Sequence, residues 1–212
     1  PRWLGHWRGA QTAVDMLNWC LDLGIKTVTL YVLSAENLDR SKDEVKELLR
    51  VIDEKLLELK ANDRIMSERV AIKALGRVER LPESTRKLLR ELEEVTENNE
   101  NRFLNIAIAY GGRDELIDVM RRIGEEIQDG KIVPSQVTSK TIEKYLYTSH
   151  LPNPEPDLIV RTSGEERLSG FLLWQSAYSE LVFIDDCWPD FRKIDLMRAI
   201  RTFQRRKRRF GR

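Results

Sequence analysis

Apolar residues recur along this chain at two alternating periods. Ala10, Ala13, Val14, Leu17, Cys20 and Leu21 follow helical spacing, and Gly24 is a natural stop. Thr27 to Leu33 is β-branched and apolar and reads as a strand. Ser41-Lys42-Asp43-Glu44 has the pattern of a capping box, and Val45, Leu48, Leu49, Ile52, Leu56 and Leu59 then form one apolar helix face. Val70 to Leu75 is a second strand; Pro82 opens a helix with Leu88, Leu89, Leu92 and Val95 inward. Phe103 to Tyr110 is apolar enough for a strand buried on both faces, and Gly111-Gly112 ends it. Leu116, Ile117, Met120, Ile123 and Ile127 mark a further helix closed by Gly130, with a short helix after Ser139. Leu158 to Val160 and Leu181 to Ile184 complete the strands, and a basic helix begins near Lys193.

Strands alternating with helices predict an α/β fold built on an open, mainly parallel central sheet flanked by helices. No repeat or linker interrupts the pattern, so residues 1–212 are read as one domain. In such sheets ligands gather beyond the carboxyl ends of the strands. Three predicted strand ends carry polar or glycine-rich clusters: Ser34-Ala35-Glu36-Asn37, Gly111-Gly112-Arg113 and Arg161-Thr162-Ser163-Gly164. These are expected to converge on one edge.

Composition narrows the class. With 41% hydrophobic and 33% charged residues the chain can bury a sizeable core. No apolar run reaches the length of a membrane span. Cys20 and Cys187 both read as core or near-core thiols, which argues for a cytoplasmic protein without a disulfide framework. Basic side chains crowd the C-terminus (Arg205, Arg206, Lys207, Arg208, Arg209, Arg212), leaving the rest net acidic. That concentration disfavours a nucleic-acid domain, which spreads basic residues over a face. The chain opens Pro1-Arg2-Trp3-Leu4-Gly5-His6 with no strand before the first helix, as though an upstream segment preceded it.

Arg161, Arg167 and Ser169 lie across a turn just past a strand, the chemistry of a diphosphate pocket, because guanidinium forks match phosphate oxygens. Surface ion pairs with Glu165, Glu166 or Asp157 are the competing reading. Glu180 is either a surface acid or a magnesium carboxylate, since magnesium takes few carboxylates plus substrate phosphates. Ser34, Glu36, Asn37 and Arg40 fit either turn chemistry or a site. Gly5-His6 is expected just ahead of the first helix, where anions bind.

Together these residues resemble the cis-prenyltransferases over essentially the whole chain. The matching pieces are Gly5-His6, Ser34-Ala35-Glu36-Asn37 with Arg40, Asn105-Ile106-Ala107 leading to Tyr110-Gly111-Gly112-Arg113, Arg161-Thr162-Ser163-Gly164-Glu165, Arg167-Leu168-Ser169, Phe171-Leu172-Leu173-Trp174-Gln175, Glu180-Leu181, Trp188-Pro189-Asp190-Phe191 and Arg208-Arg209-Phe210-Gly211. The resemblance implies condensation of isopentenyl diphosphate onto an allylic diphosphate such as farnesyl or geranylgeranyl diphosphate, lengthening a Z-polyprenyl chain. It implies that Arg161, Arg167 and Ser169, beside Leu168, hold the isopentenyl diphosphate and that Glu180 binds magnesium. It further implies that Arg2, His6 and Arg40 contact substrate or support the allylic diphosphate site, that Ala35, Glu36 and Leu38 bind substrate, and that Ser34 and Asn37 are linked to proton removal. An amide is a poor base, so Asn37 is read as positioning the substrate while a diphosphate oxygen takes the proton. Arg209 and Gly211 belong to a motif that reaches a partner subunit, so a homodimer is expected. The lipid product implies peripheral membrane contact and an apolar tunnel between sheet and helices, lined by Leu48, Leu49, Ile52, Leu56 and strand 103–110. The family's opening strand and its aspartate-glycine-asparagine phosphate loop have no counterpart here. Leu38 stands where an aromatic is usual and Glu166 where histidine or another residue is found in the family, differences expected to tune affinity. A non-catalytic partner subunit of such an enzyme is the alternative.

Overall fold

A computed structural model of the chain describes the backbone of residues 2–206 and side chains from residue 4 onward. Residues 207–212 of the basic tail, Arg209 and Gly211 among them, and the side chain of Arg2 lie outside the described residues.

The fold is organised around β3 (Arg102–Tyr110), whose residues from Leu104 onward are all buried. A largely apolar run suits this position because both faces of a parallel strand are covered; Asn105, the polar exception, donates to the Thr29 hydroxyl at 3.0 Å. β1 (Thr27–Ser34) and β2 (Val70–Leu75) flank it in the order β1-β3-β2, both parallel to it. β1 runs in register from Thr27 opposite Phe103 to Ser34 opposite Tyr110, with irregularities after Tyr31 and Leu33. The expected single sheet is divided: β4 (Leu158–Arg161) and β5 (Glu180–Phe183) form a separate parallel pair.

The helices are α1 (Arg2–Asp22), α2 (Lys42–Lys60), α3 (Asp63–Ser67), α4 (Glu83–Thr96), α5 (Gly112–Gln128), α6 (Ser139–Tyr145) and α7 (Lys193–Arg205). Leu49, Ile52 and Leu56 of α2 and Leu89 and Leu92 of α4 pack with Ile72, Leu104, Ile106 and Ile108 in the main core. Each such side chain contributes about 1.5–3 kcal/mol by leaving water. A second cluster, Met16, Cys20, Phe191 and Leu196, touches Val28 and Leu30 of β1 and also Val160 of β4. Side-chain packing on α1 therefore joins the two sheets. No described helix is long and apolar enough to cross a membrane.

Several expectations change. Ser41 precedes α2 but its hydroxyl makes no cap bond, and Glu44 accepts Arg40 at 2.7 Å rather than reaching back. Val95 is exposed, since Thr85 and Thr96 take the inner positions of α4. Both are satisfied there: Thr85 donates to Asp53 at 2.6 Å, and Thr96 accepts the Ile72 N–H at 3.1 Å. Ile117 and Met120 also face outward, because α5 turns Glu115, Val119 and Ile123 inward. Cys187 is exposed; only Cys20 is buried, and burial raises its thiol pKa to about 11. α1 already begins at Arg2, so His6 lies within the helix and not ahead of it.

Candidate active site

The three strand ends do meet. Ser34 stands opposite Tyr110, and the Ala35 N–H donates to the Tyr110 carbonyl at 2.9 Å. The Gly112 N–H donates to the Gly170 carbonyl at 2.8 Å, which seats the segment after β4 on the start of α5. A Cβ at Gly112 would lie 2.4 Å from that carbonyl oxygen, so this approach requires glycine. Phe171 stacks on Tyr31 with centroids 4.9 Å apart, and Tyr110 meets both rings edge-on. Burial, with the Glu36 carboxylate adding to it, raises the Tyr31 hydroxyl pKa to about 12.

Arg161 ends β4 and gathers the loop: its Nη1 donates to the Arg167 carbonyl at 2.5 Å and to the Ser169 hydroxyl at 2.8 Å. Arg167 is exposed and pairs with Glu165, so the surface ion pair foreseen as the competing reading is present. Leu168 is half-buried beside it, and its carbonyl accepts the Phe171 N–H at 3.0 Å.

On the facing loop the Ser34 hydroxyl accepts the Asn37 N–H at 3.2 Å, so these two are held together. Glu36 is exposed; Ala35 is buried, and Leu38 packs against the main core. Arg40 is exposed and tied to Glu44. His6 is half-buried on α1.

Glu180 does not join this cluster. It starts β5 opposite Leu158, whereas Arg161 pairs with Phe183 at the other end. The separation is about 10 Å along the strand. Its carboxylate accepts Arg206 at 2.8 Å. Among the described residues no group of three or more His, Cys, Asp or Glu is placed to hold a metal. A magnesium ion here would be held by few protein carboxylates together with substrate phosphates. A groove of about 530 Å³ between α1 and the Trp188–Asp190 turn, lined by Arg8, Asp15, Asp186 and Arg192, shares none of the candidate residues.

A buried polar network went unforeseen. Glu115 is 1% exposed and accepts three bonds, from the Tyr110 hydroxyl (2.6 Å), the Tyr147 N–H (2.7 Å) and the Gln175 amide (3.1 Å). Gln175 also donates to Thr148 at 3.1 Å. Tyr110-Gly111-Gly112 and Trp174-Gln175 stand among the motif residues, but an acid one helical turn into α5 reads as solvent-facing from sequence. Burial raises the Glu115 pKa, and its hydrogen bonds oppose the rise. A raised carboxyl pKa adds stability that is full below the unfolded value of 4.5 and is lost as pH rises through the folded value. The stability difference between wild type and Glu115→Gln should accordingly fall with rising pH and then level off. Urea unfolding at a series of pH values measures it; a flat or rising difference contradicts the shift.

The prenyltransferase family described as undecaprenyl diphosphate synthase matches residues 1–211. A tritrans,polycis-undecaprenyl-diphosphate synthase (geranylgeranyl-diphosphate specific) from Methanopyrus kandleri is 52% identical over 210 residues, covering 99% of this chain and 77% of its own length. Its namesake from Methanocaldococcus jannaschii is 48% identical over 210 residues, covering 99% of this chain and 75% of its own. The crystal structure of lavandulyl diphosphate synthase from Lavandula x intermedia, in complex with dimethylallyl diphosphate, superposes with a TM-score of 0.95 at 32% identity. It covers 100% of this chain and 90% of that one. A donor loop at converging parallel strand ends and a match along almost every residue lead to one assignment: the chain belongs to the undecaprenyl diphosphate synthase family of prenyltransferases.

Proposed function

We propose that the chain is a transferase that elongates an allylic prenyl diphosphate with isopentenyl diphosphate, adding cis isoprene units, and that geranylgeranyl diphosphate is its starter. The starter follows from the names of the relatives from Methanopyrus and Methanocaldococcus. The observation that carries the assignment to this site is Arg161 reaching both the Arg167 carbonyl and the Ser169 hydroxyl at the end of β4.

In this reading Arg161, Arg167 and Ser169, beside Leu168, grip the diphosphate of isopentenyl diphosphate. Arg2, His6 and Arg40 face the allylic diphosphate, with Ala35, Glu36 and Leu38 shaping the wall between the two. The allylic carbon–oxygen bond breaks, with its electrons leaving on diphosphate. The isopentenyl double bond attacks the freed carbon, and a proton leaves the neighbouring carbon to form the new double bond. Ser34 and Asn37 hold the isopentenyl unit for that loss, and a diphosphate oxygen takes the proton because an amide is a poor base. Donors fixed before ionisation stabilise the leaving charge as it develops. The product chain runs in an apolar tunnel beside α2, and a second copy of the chain completes the enzyme with Arg209 and Gly211.

Magnesium, when bound, neutralises diphosphate charge; it arrives with substrate oxygens and needs few carboxylates. Glu180 serves it only by exchanging Arg206 for the metal, so no step above passes through it. Incubating the full protein with magnesium, geranylgeranyl diphosphate and labelled isopentenyl diphosphate should yield a longer prenyl diphosphate. The same assay on Glu180→Gln across a magnesium series separates a metal role from the pairing with Arg206. Absence of any elongated product from the unaltered protein would refute the assignment.

A further inference from the structure

The loop that carries Ser169 is held in an unfavourable shape. Ser163 (φ 75°), Ser169 (φ 47°) and Leu172 (φ 46°) all sit in the left-handed region without being glycine. Such residues persist only where their surroundings over-determine them. Ser163 is held by its N–H donating to the Asp186 carbonyl at 2.8 Å; for Ser169 and Leu172 the surroundings are the end of β3. The Leu172 N–H donates to the Tyr110 hydroxyl at 3.2 Å, and that hydroxyl donates to Glu115 at 2.6 Å. Tyr110 is fully buried, Leu172 is 2% exposed, and no solvent can replace either bond.

We infer that the Tyr110 hydroxyl is a positioning group for the isopentenyl diphosphate subsite, a role that rests on the function proposed above. One oxygen accepts from the strained loop and donates to a carboxylate anchored on α5. Glu115 cannot drift, because Tyr147 and Gln175 hold its other oxygen. Two residues before Leu172, the Gly170 carbonyl is pinned by Gly112, which leaves Ser169 at the mouth of a segment fixed at Gly170 and Leu172. Arg161 then finds its two acceptors in place and keeps its remaining N–H groups for the ligand. Tyr110 touches neither substrate in this arrangement; it acts through Ser169 and the Arg167 carbonyl. On the other side, the Tyr110 backbone carbonyl receives Ala35, a bond that a change at the hydroxyl leaves intact.

Tyr110→Phe keeps the ring but leaves the Leu172 N–H and one Glu115 oxygen without partners, which loosens the loop alone. The KM for isopentenyl diphosphate should rise about tenfold or more, while the KM for the allylic diphosphate and kcat at saturation stay unchanged. Glu115→Gln, which keeps the volume and weakens the same anchor, should move the same constant in the same direction and serves if Tyr110→Phe fails to fold. Thr85→Val is the control for simple destabilisation: it breaks a buried bond to Asp53 elsewhere and should lower Tm with neither KM altered. Equal rises in both KM values, or a loss in kcat alone, overturn the inference. Arg161→Ala is measured alongside. If Arg161→Ala weakens isopentenyl diphosphate and Tyr110→Phe does not, only the positioning role fails. If neither does, the subsite itself is wrong and the inference falls with it.

Discussion

Arg161→Ala should raise the KM for isopentenyl diphosphate about 100-fold or more, with product formation falling accordingly. The side chain has two duties that alanine cannot share. Its Nη1 collects the Arg167 carbonyl and the Ser169 hydroxyl, so truncation frees the loop as well as removing a charge. Its other N–H groups are then available to phosphate oxygens, and each hydrogen bond to a charged group contributes about 1.5–3 kcal/mol. Two such bonds account for the expected factor without any contribution from loop disorder. Arg161→Lys should recover part of the loss, because an ammonium keeps the charge but lacks the planar fork that serves loop and ligand together. Steady-state kinetics with labelled isopentenyl diphosphate decides it. A change under about tenfold for the alanine variant would show that the arginine braces the loop without holding the ligand.

The largest stability effect is expected at Gly76→Ala. Gly76 follows the last residue of β2 at φ 123°, a conformation that side-chain-bearing residues rarely adopt. An added Cβ would stand 2.3 Å from the Ile108 carbonyl oxygen and 3.0 Å from the Ala109 carbonyl. These are backbone atoms of the fully buried central strand, and Ala109 is itself held at φ 48° with its carbonyl accepting the Arg77 N–H at 3.1 Å. Neither partner can give way without opening the β2–β3 ladder. Strain and overpacking together should cost about 3 kcal/mol or more, and lower Tm by about 10 °C for a chain of this size. Chemical and thermal unfolding measure it; a loss under about 1 kcal/mol would mean that the strand end relaxes freely.

How far the sequence carried the reading depended on whether a signal was local. All five strands could be read from it because β-branched and apolar runs declare themselves, and the strand ends could be read because glycine and polar residues cluster there. The division into two sheets could not be read: pairing is a property of edges, and Val160 shows the same apolar character whether its neighbour is bonded or merely packed. Helix faces were misread where a polar residue holds an inner position. Glu115 and Thr96 are buried because distant backbone and side-chain groups satisfy them, and nothing near them in sequence says so. Arg161 and Ser169 lie within hydrogen-bonding distance of each other, whereas Glu180, close in sequence to the donor loop, begins its strand at the far end.

The division between the sheets also bears on how ligand affinity and folding are linked. The two units meet through side chains around Met16, Cys20 and Phe191 and through the Gly112–Gly170 and Tyr110–Leu172 hydrogen bonds, with no strand ladder between them among the described residues. Ser34 and Asn37 belong to one unit, Arg161 and Ser169 to the other. A substrate pair gripped from both sides is then a strut across a joint, and its binding energy is also energy that keeps the joint closed. The four-residue strands β4 and β5, which carry the donor loop, would be the first elements to open in the empty protein and would gain most when it is filled.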